Sequence, residues 1–180
     1  DGTDIAQHTK YFYREAVYSR QGRGFMGFKS IIEKDVNRAL VTQTDFEQIF
    51  PYQGKLKRQA TFTEDDYTTR GSGHLGISDN ETYAVSYSNT EWQENSTHSV
   101  TDVYNLYPIE TTQITRDLVT KQDLTRIEKN ITRLDQYGNV TASSTQVEDA
   151  WGTYTTSETR EYEGNESNWW LNKLNTKIQT

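Results

Sequence analysis

An all-β fold, built of antiparallel β-hairpins in extended, curved sheet, is what this sequence predicts. Three observations predict it. Apolar and polar residues alternate with period two along much of the chain, which is the signature of a pleated strand with distinct faces. Tyrosine (12 residues) and threonine are abundant, and both suit half-buried sheet. Only 32% of residues are hydrophobic and mean hydropathy is −0.93, so the core is thin or one sheet face is wet.

The elements follow in order. Thr9 to Tyr18 reads as a strand, with Tyr11, Tyr13, Glu15 and Val17 on one face and Phe12, Arg14, Ala16 and Tyr18 on the other. Gly22-Arg23-Gly24 then marks a turn. From Phe28 to Leu40, residues Ile31, Ile32, Val36 and Leu40 have partial helical spacing. Branched side chains and the flanking glycines favour two strands instead, with a hairpin turn at Asp35-Val36-Asn37-Arg38. Pro51-Tyr52-Gln53-Gly54 is the next turn, and Thr63 to Asn80 reads as a long loop or mobile insertion containing Gly71-Ser72-Gly73. Thr82 to Ser88 alternates cleanly, placing Tyr83, Val85 and Tyr87 together. Asp117 to Leu134 reads as two strands about a Lys129-Asn130 turn. Val140 to Val147 and Thr153 to Tyr162 are further strands, separated from their neighbours by turns at Tyr137-Gly138-Asn139 and Gly164-Asn165. No linker divides the chain, so residues 1–180 read as one β-rich segment, and internal repetition is weak.

Charge argues against nucleic acid as a partner: the net charge is −7 and the pI about 5.0. Lys55, Lys57 and Arg58 read as basic residues alternating on a solvated strand. Without cysteine there is neither a disulfide nor a thiolate metal site. No apolar run approaches the roughly 20 residues of a membrane span, so no membrane contact is expected from this segment. The chain opens Asp1-Gly2-Thr3 and reads as an excised piece of a longer polypeptide.

Chemical motifs fail their context tests. Gly22-Arg23-Gly24-Phe25-Met26-Gly27 matches a dinucleotide-binding glycine pattern, but no buried parallel strand precedes it and no βαβ alternation follows. The glycines read better as positive-φ turn residues, with Phe25, Met26 and Phe28 packing into the sheet. His8, His74 and His98 show no metal-ligand spacing. Glu64-Asp65-Asp66 lacks a calcium-loop pattern and reads as solvated loop charge. Glu148, Asp149 and Glu158 are the imaginable acid/base carboxylates, a role that demands a defined separation in space. No nucleophile elbow is present. Sequons occur at Asn80, Asn95, Asn130, Asn139 and Asn165. Trp92, Trp151, Trp169 and Trp170 suit core or sheet-edge burial, with sugar stacking as the functional alternative.

Three stretches resemble one family. Gly22-Arg23-Gly24-Phe25-Met26-Gly27-Phe28, followed by Phe50-Pro51-Tyr52-Gln53-Gly54, is similar to the "GRGFLGF … FPY-x-G" signature of Tc-toxin B components and virulence-plasmid B proteins, with Phe46 in the aromatic place upstream of Phe50. Arg133-Leu134-Asp135-Gln136-Tyr137-Gly138-Asn139-Val140 resembles an RHS-type YD repeat, with Leu134 where tyrosine is usual. Tyr162 to Thr180 resembles the segment built around Trp169, with Asn172 replacing a glycine. The resemblance runs from about Tyr11 to the C-terminus. It implies strips of antiparallel hairpins that spiral into a hollow shell around a toxic C-terminal domain.

The expectation that follows is a structural wall segment of a toxin-encapsulating β-shell in a large bacterial protein, secreted or at the cell surface. No catalysis, cofactor or metal is expected. Its expected partners are the remainder of the parent polypeptide and a C-type component or cargo domain. The alternative is a β-sandwich or small barrel that recognises a glycan or cell surface through Trp92, Trp151 or Trp169. A hydrolase with two carboxylates is a third reading.

Overall fold

The computed structural model describes residues 7–20, 22–70, 81–95, 104–165, 167 and 170–180. Ten strands follow in chain order in one sheet: β1 (Thr9–Ser19), β2 (Gly24–Asp35), β3 (Leu40–Phe46), β4 (Leu56–Thr63), β5 (Ser86–Glu94), β6 (Leu106–Arg116), β7 (Asp123–Leu134), β8 (Val140–Asp149), β9 (Gly152–Asn165) and β10 (Trp170–Gln179). Every pairing whose register is described is antiparallel. Helix α1 (Glu64–Arg70) follows β4, and a single 3-10 turn (Glu81–Tyr83) precedes β5. The chain forms two compact units, residues 1–89 with 114–123 and residues 90–113 with 124–180.

In unit 1 the register puts alternate residues of successive strands in one row across the sheet. Phe12, Ile32, Gln43, Ala60 and Tyr87 form such a row, as do Arg14, Ser30, Asp45, Arg58 and Asn89. These rows, with the neighbouring row of Lys34, Val41 and Phe62, face α1 and hold the core: Ile32, Val41, Ala60 and Phe62 are buried, together with Ala84. Phe62 meets Tyr67 of α1 at 5.8 Å between ring centroids, so the helix covers the aromatic centre of the face. Polar residues share that face and satisfy one another, as buried groups must. Asp45 accepts from Ser30 Oγ at 2.5 Å and from Gln43 Nε2 at 3.0 Å, and Gln43 Oε1 accepts from the Tyr67 hydroxyl at 3.5 Å. Burial pushes the Tyr87 phenol up to about 12, with the neighbouring Glu81 carboxylate acting in the same direction. The opposite face carries hydroxyls, such as the Thr42–Thr61 cross-strand pair at 3.0 Å, and is wet. A thin core with one solvated face accounts for the low hydrophobicity.

Unit 2 is thinner still. Strands β7, β8 and β9 carry no buried side chain among the described residues, and the unit's buried side chains include Thr112 and Asn95. Cross-strand ion pairs, Lys177 with Glu158 at 2.5 Å and Lys173 with Glu163 at 2.8 Å, decorate the β9–β10 ladder.

Several expectations need correction. Thr63 to Asn80 is not all loop: α1 occupies Glu64–Arg70, while 71–80, with the Gly71-Ser72-Gly73 turn, lies outside the described residues. Helix formation follows from Thr63, whose Oγ1 accepts the Asp66 N–H, and from acidic residues in the first turn. Glu64 and Asp66 are accordingly not solvated loop charge; they pair with Lys34 and Lys121. Lys129-Asn130 is no turn, since β7 runs unbroken through it and the hairpin bends at 117–122 instead. Tyr83 belongs to the 3-10 turn and β5 starts only at Ser86. Gly164 and Asn165, expected as the turn that follows this strand, are the last two residues of β9, and 166, 168 and 169 lie outside the described residues. The hairpin bend after Asp35 stands where expected.

Candidate functional site

The residues singled out in the sequence gather into two turn assemblies. In unit 1, the β1–β2 turn and the β3–β4 connection meet. Gly22 (φ +87) and Gly24 (φ +72) hold the left-handed conformations that the tight turn requires. Gly27 (φ +90) serves a different end. Ala16 pairs with Phe28 and Tyr18 with Phe25, so β2 carries one residue more than β1, and Gly27 sits at that bulge. The bulge brings Phe25 and Phe28 together edge to face, with centroids 5.4 Å apart, and Tyr13 lies 4.8 Å from Phe28. Phe28 is half-buried, whereas Phe25 is 57% exposed and does not pack into the sheet as expected; it caps the aromatic stack from outside.

Arg23, at the tip of this turn, places its guanidinium carbon 3.4 Å from the ring centre of Phe50, a close cation–π contact. Phe50 precedes Pro51 through a cis peptide bond. The loop is closed by Glu47 N–H to Lys55 O at 2.9 Å and Gly54 N–H to Glu47 O at 2.9 Å, with Gly54 at φ +76. Gln48 Nε2 donates to Phe28 O at 3.1 Å, tying the loop to β2. The two halves of the first motif, more than twenty residues apart in sequence, are thus one clasp.

In unit 2 the assembly centres on Asp135, between β7 and β8. Its carboxylate accepts the N–H groups of Tyr137 and Asn139 and the Asn139 side-chain amide, each at 2.9 Å. The backbone closes beneath it, with Asp135 N–H to Asn139 O at 3.0 Å and Gly138 N–H to Asp135 O at 3.1 Å. Gly138 has φ +87, and a Cβ there would lie 1.9 Å from Asn105 Nδ2. Asn139 Nδ2 also donates to Leu171 O at 2.6 Å, and Asn95 Nδ2 reaches Asp135 O at 3.4 Å. The turn is a knot joining the ends of β5 and β10 to the β7–β8 hairpin. Leu134, the departure from the usual tyrosine, is the last residue of β7 and pairs with Val140. Trp169, the anchor of the third motif, lies outside the described residues, as do His74, His98 and Asn80.

Sequence reasoning missed that this aspartate device recurs. Asp35 Oδ1 accepts the N–H groups of Asn37 and Arg38, both at 3.0 Å. Asp117 Oδ1 accepts those of Val119 at 2.9 Å and Thr120 at 2.7 Å, which hold its carboxyl below the usual range. Asp149 Oδ1 accepts those of Trp151 at 2.8 Å and Gly152 at 3.2 Å. An aspartate at the end of a strand whose carboxylate meets the N–H two residues on is an Asx turn; the second N–H lies three residues on for Asp35, Asp117 and Asp149 and four for Asp135. The signal was present as four aspartates at strand-to-turn boundaries.

The remaining candidates stay apart. Glu158 pairs across the ladder with Ser143, whereas Glu148 lies opposite Thr153 and Asp149 opposite Gly152, so no acid/base pair forms. Glu158 is held by Lys177 and Arg160, which lower its pKa. Beside it an open depression of about 500 Å³ is lined by mixed polar and apolar residues of β6 to β10, among them Thr111, Ile131, Ser143, Thr156 and Arg160. No cluster of potential metal ligands occurs among the described residues. His8 is exposed, and its backbone N–H donates to Asn37. Lys57 pairs with Glu47 at 3.0 Å, and Arg58 Nε donates to Asn89 at 3.3 Å. Trp92 is half-buried, but Trp151 is 86% exposed at the β8–β9 tip, contrary to the expected burial: a two-residue tip has no neighbouring strand to cover it. No helix among the described residues is long and apolar enough to cross a membrane.

Neither a family model nor a curated protein matches this sequence. Among solved structures, the crystal structure of TcdB2-TccC3 without its hypervariable C-terminal region superposes with a TM-score of 0.69 at 9% identity, over 95% of this chain and 12% of that one. The TcdB2-TccC3-TEV and TcdB2-TccC3-Cdc42 structures superpose at 0.68 and 0.67, with the same identity and coverage. The chain therefore spans about an eighth of the length of the Tc toxin chains it resembles, and at that identity the likeness establishes an all-β fold of the kind found in those toxin components.

Proposed function

We propose that this chain is a wall segment of a toxin-encapsulating β-shell, in a large Tc-toxin-B-like protein of the RHS/YD-repeat kind. The observation that carries the reading is the sheet itself: ten strands in chain order, superposing over 95% of their length on a small part of a TcdB2-TccC3 chain. The two turn assemblies support it, since both are spent on joining hairpins. Of the candidate carboxylates, Asp149 is engaged in a turn and Glu158 in ion pairs, which supports a segment without catalysis of its own. Its partners on this reading are the rest of the parent polypeptide and a C-type component or cargo, and the parent is secreted or displayed at a bacterial cell surface.

The test uses the parent polypeptide together with its cargo region. Limited proteolysis of the intact protein leaves the cargo protected, while deletion of the β1 to β10 segment exposes it. Equal cleavage in both proteins rejects the wall reading. A second reading, glycan recognition, is favoured by the exposure of Trp151; glycan-array binding lost on Trp151→Ala supports it, and silence across the array removes it.

A further inference from the structure

The sheltered face of unit 2 is polar. Strands β7, β8 and β9 each have a neighbour on both sides, so the face they carry belongs to the interior of the sheet. From Thr155 to Tyr162 of β9, odd-numbered residues are exposed and even-numbered ones half-buried. An antiparallel sheet with one sheltered face ordinarily puts apolar side chains on it. Here the sheltered side carries Thr156, Glu158 and Arg160 instead. The register continues that side across the sheet. Ile131, Ser143, Glu158 and Gln179 form one row, and Lys129, Thr145 and Thr156 form the next.

These residues line the open depression of about 500 Å³, which lies wholly within unit 2. That volume is within the range of about 300–1,000 Å³ typical of ligand pockets. Its charge is one-sided. Glu158 takes Lys177 at 2.5 Å and is also met by Arg160, so one carboxylate answers two cations. The Arg160 side chain remains 33% exposed, which leaves part of its guanidinium open. Lys129 is exposed and forms no ion pair among the described residues. Asp149, farther along β8, is spent on the β8–β9 turn. Glu110 of β6 accepts from Thr112 and does not line the depression. The hollow is therefore cationic in a chain whose net charge is −7. Between Lys129 on β7 and Arg160 on β9, the hydroxyls of Ser143, Thr145 and Thr156 offer both donors and acceptors. Ile131 and Val140 supply apolar surface beside them.

We propose that this depression binds an acidic sugar, a mono- or disaccharide that bears a carboxylate. Each part of that ligand answers a part of the site. The carboxylate takes the open part of the Arg160 guanidinium, whose planar fork matches it. Sugar hydroxyls both donate and accept, as do the serine and threonine hydroxyls they meet; a bare inorganic anion only accepts. The carbon face of the ring lies on Ile131 and Val140, and Lys129 adds attraction from the far side. A neutral sugar leaves the cations without a partner, and a long polyanion such as nucleic acid is repelled by the rest of the chain. The inference goes beyond the wall reading, and its residues are separate from Trp151.

The experiment titrates the full chain with methyl β-glucuronide, methyl β-glucoside and sodium acetate, read by amide NMR shifts at Ser143 and Thr156. The glucuronide binds at least about tenfold more tightly than either of the others, and its advantage shrinks with added salt. Arg160→Gln abolishes the preference for glucuronide over glucoside, while the dispersion of the remaining amide signals verifies that the sheet persists. Glu158→Gln acts in the opposite direction. It releases Arg160 and Lys177, and glucuronide affinity rises at least about threefold, a gain that a partly unfolded variant does not produce. Acetate binding as tight as glucuronide, which marks a simple anion site, overturns the proposal. So do equal binding of the two glycosides, a glucuronide that does not bind, and a preference that survives Arg160→Gln. Loss of glucuronide binding on Trp151→Ala, which places the sugar at the β8–β9 tip, overturns it too. None of these outcomes depends on cargo protection in the parent protein, so the inference fails or succeeds separately from the wall reading.

Discussion

Replacing Asp135 by alanine is the sharpest probe of the unit 2 knot. The substitution removes the acceptor of three donors, the N–H groups of Tyr137 and Asn139 and the Asn139 amide, all at 2.9 Å. Hydrogen bonds to a charged group contribute about 1.5–3 kcal/mol each when buried. These are half-buried, and Asn139 keeps Leu171 O as a partner, so the combined loss is about 2–4 kcal/mol. Asp135→Asn keeps one oxygen able to accept both backbone N–H groups and costs only about 1–2 kcal/mol. The assay is urea unfolding followed by tryptophan fluorescence, which reports unit 2 selectively because Trp92, Trp151, Trp169 and Trp170 all fall within its residue ranges. Midpoints shift at constant slope if only stability changes. An alanine variant within about 0.5 kcal/mol of the parent protein, or an asparagine variant as unstable as alanine, refutes the role given to this carboxylate.

Three further outcomes are expected. Gly27→Ala, where a Cβ meets nothing within 4 Å, costs about 1–2 kcal/mol through backbone strain alone, whereas Gly138→Ala also displaces Asn105 and costs more; chemical denaturation of the pair shows whether they differ. Phe62→Ala, in the centre of the unit 1 core, destabilises by about 3–5 kcal/mol, and a measured loss near 1 kcal/mol (a surface-like value) contradicts the burial described. The Tyr87 phenol titrates at about 12 in the folded chain against 10.0 ordinarily. The unfolded chain thus releases this proton first, and the stabilisation is complete below pH 10 and disappears as pH rises towards 12; Tyr87→Phe flattens that dependence in thermal melts, and an unchanged profile argues against it.

Strands such as β1 and β8 were legible in the sequence from their aromatic, branched and threonine residues and the turns that bound them, whereas the cleanly alternating stretch Thr82 to Ser88 is strand only from Ser86. The hairpin at Asp35 was legible against a competing helical spacing because branched residues disfavour helix. What escaped was set by tertiary contact. Helix α1 is only seven residues long and polar, and its place depends on Tyr67 reaching Phe62 and on ion pairs with Lys34 and Lys121. Lys129-Asn130 looked like a turn because lysine and asparagine are common in loops, yet both lie in the middle of β7. The glycine motifs were found by resemblance, but their purposes were not: only the register shift explains Gly27, and only the Arg23–Phe50 contact explains why the two halves of the first motif belong together. The Asx turns were written plainly in the sequence and were passed over, since one aspartate before a bend is too common to notice singly.

The unbroken strand order has a kinetic corollary. Each strand finds its partners next to it in sequence, so ordering proceeds through closures between successive strands, the longest across residues 64–85, and never requires a distant segment to return. Such meanders have low contact order and fold early and fast for their size. A chain of this kind can begin to order its first hairpins while later ones are still being synthesised. Hairpins inserted or removed in pairs would leave every remaining connection unthreaded, which makes the length of such a protein free to vary over evolution without a change in its folding route.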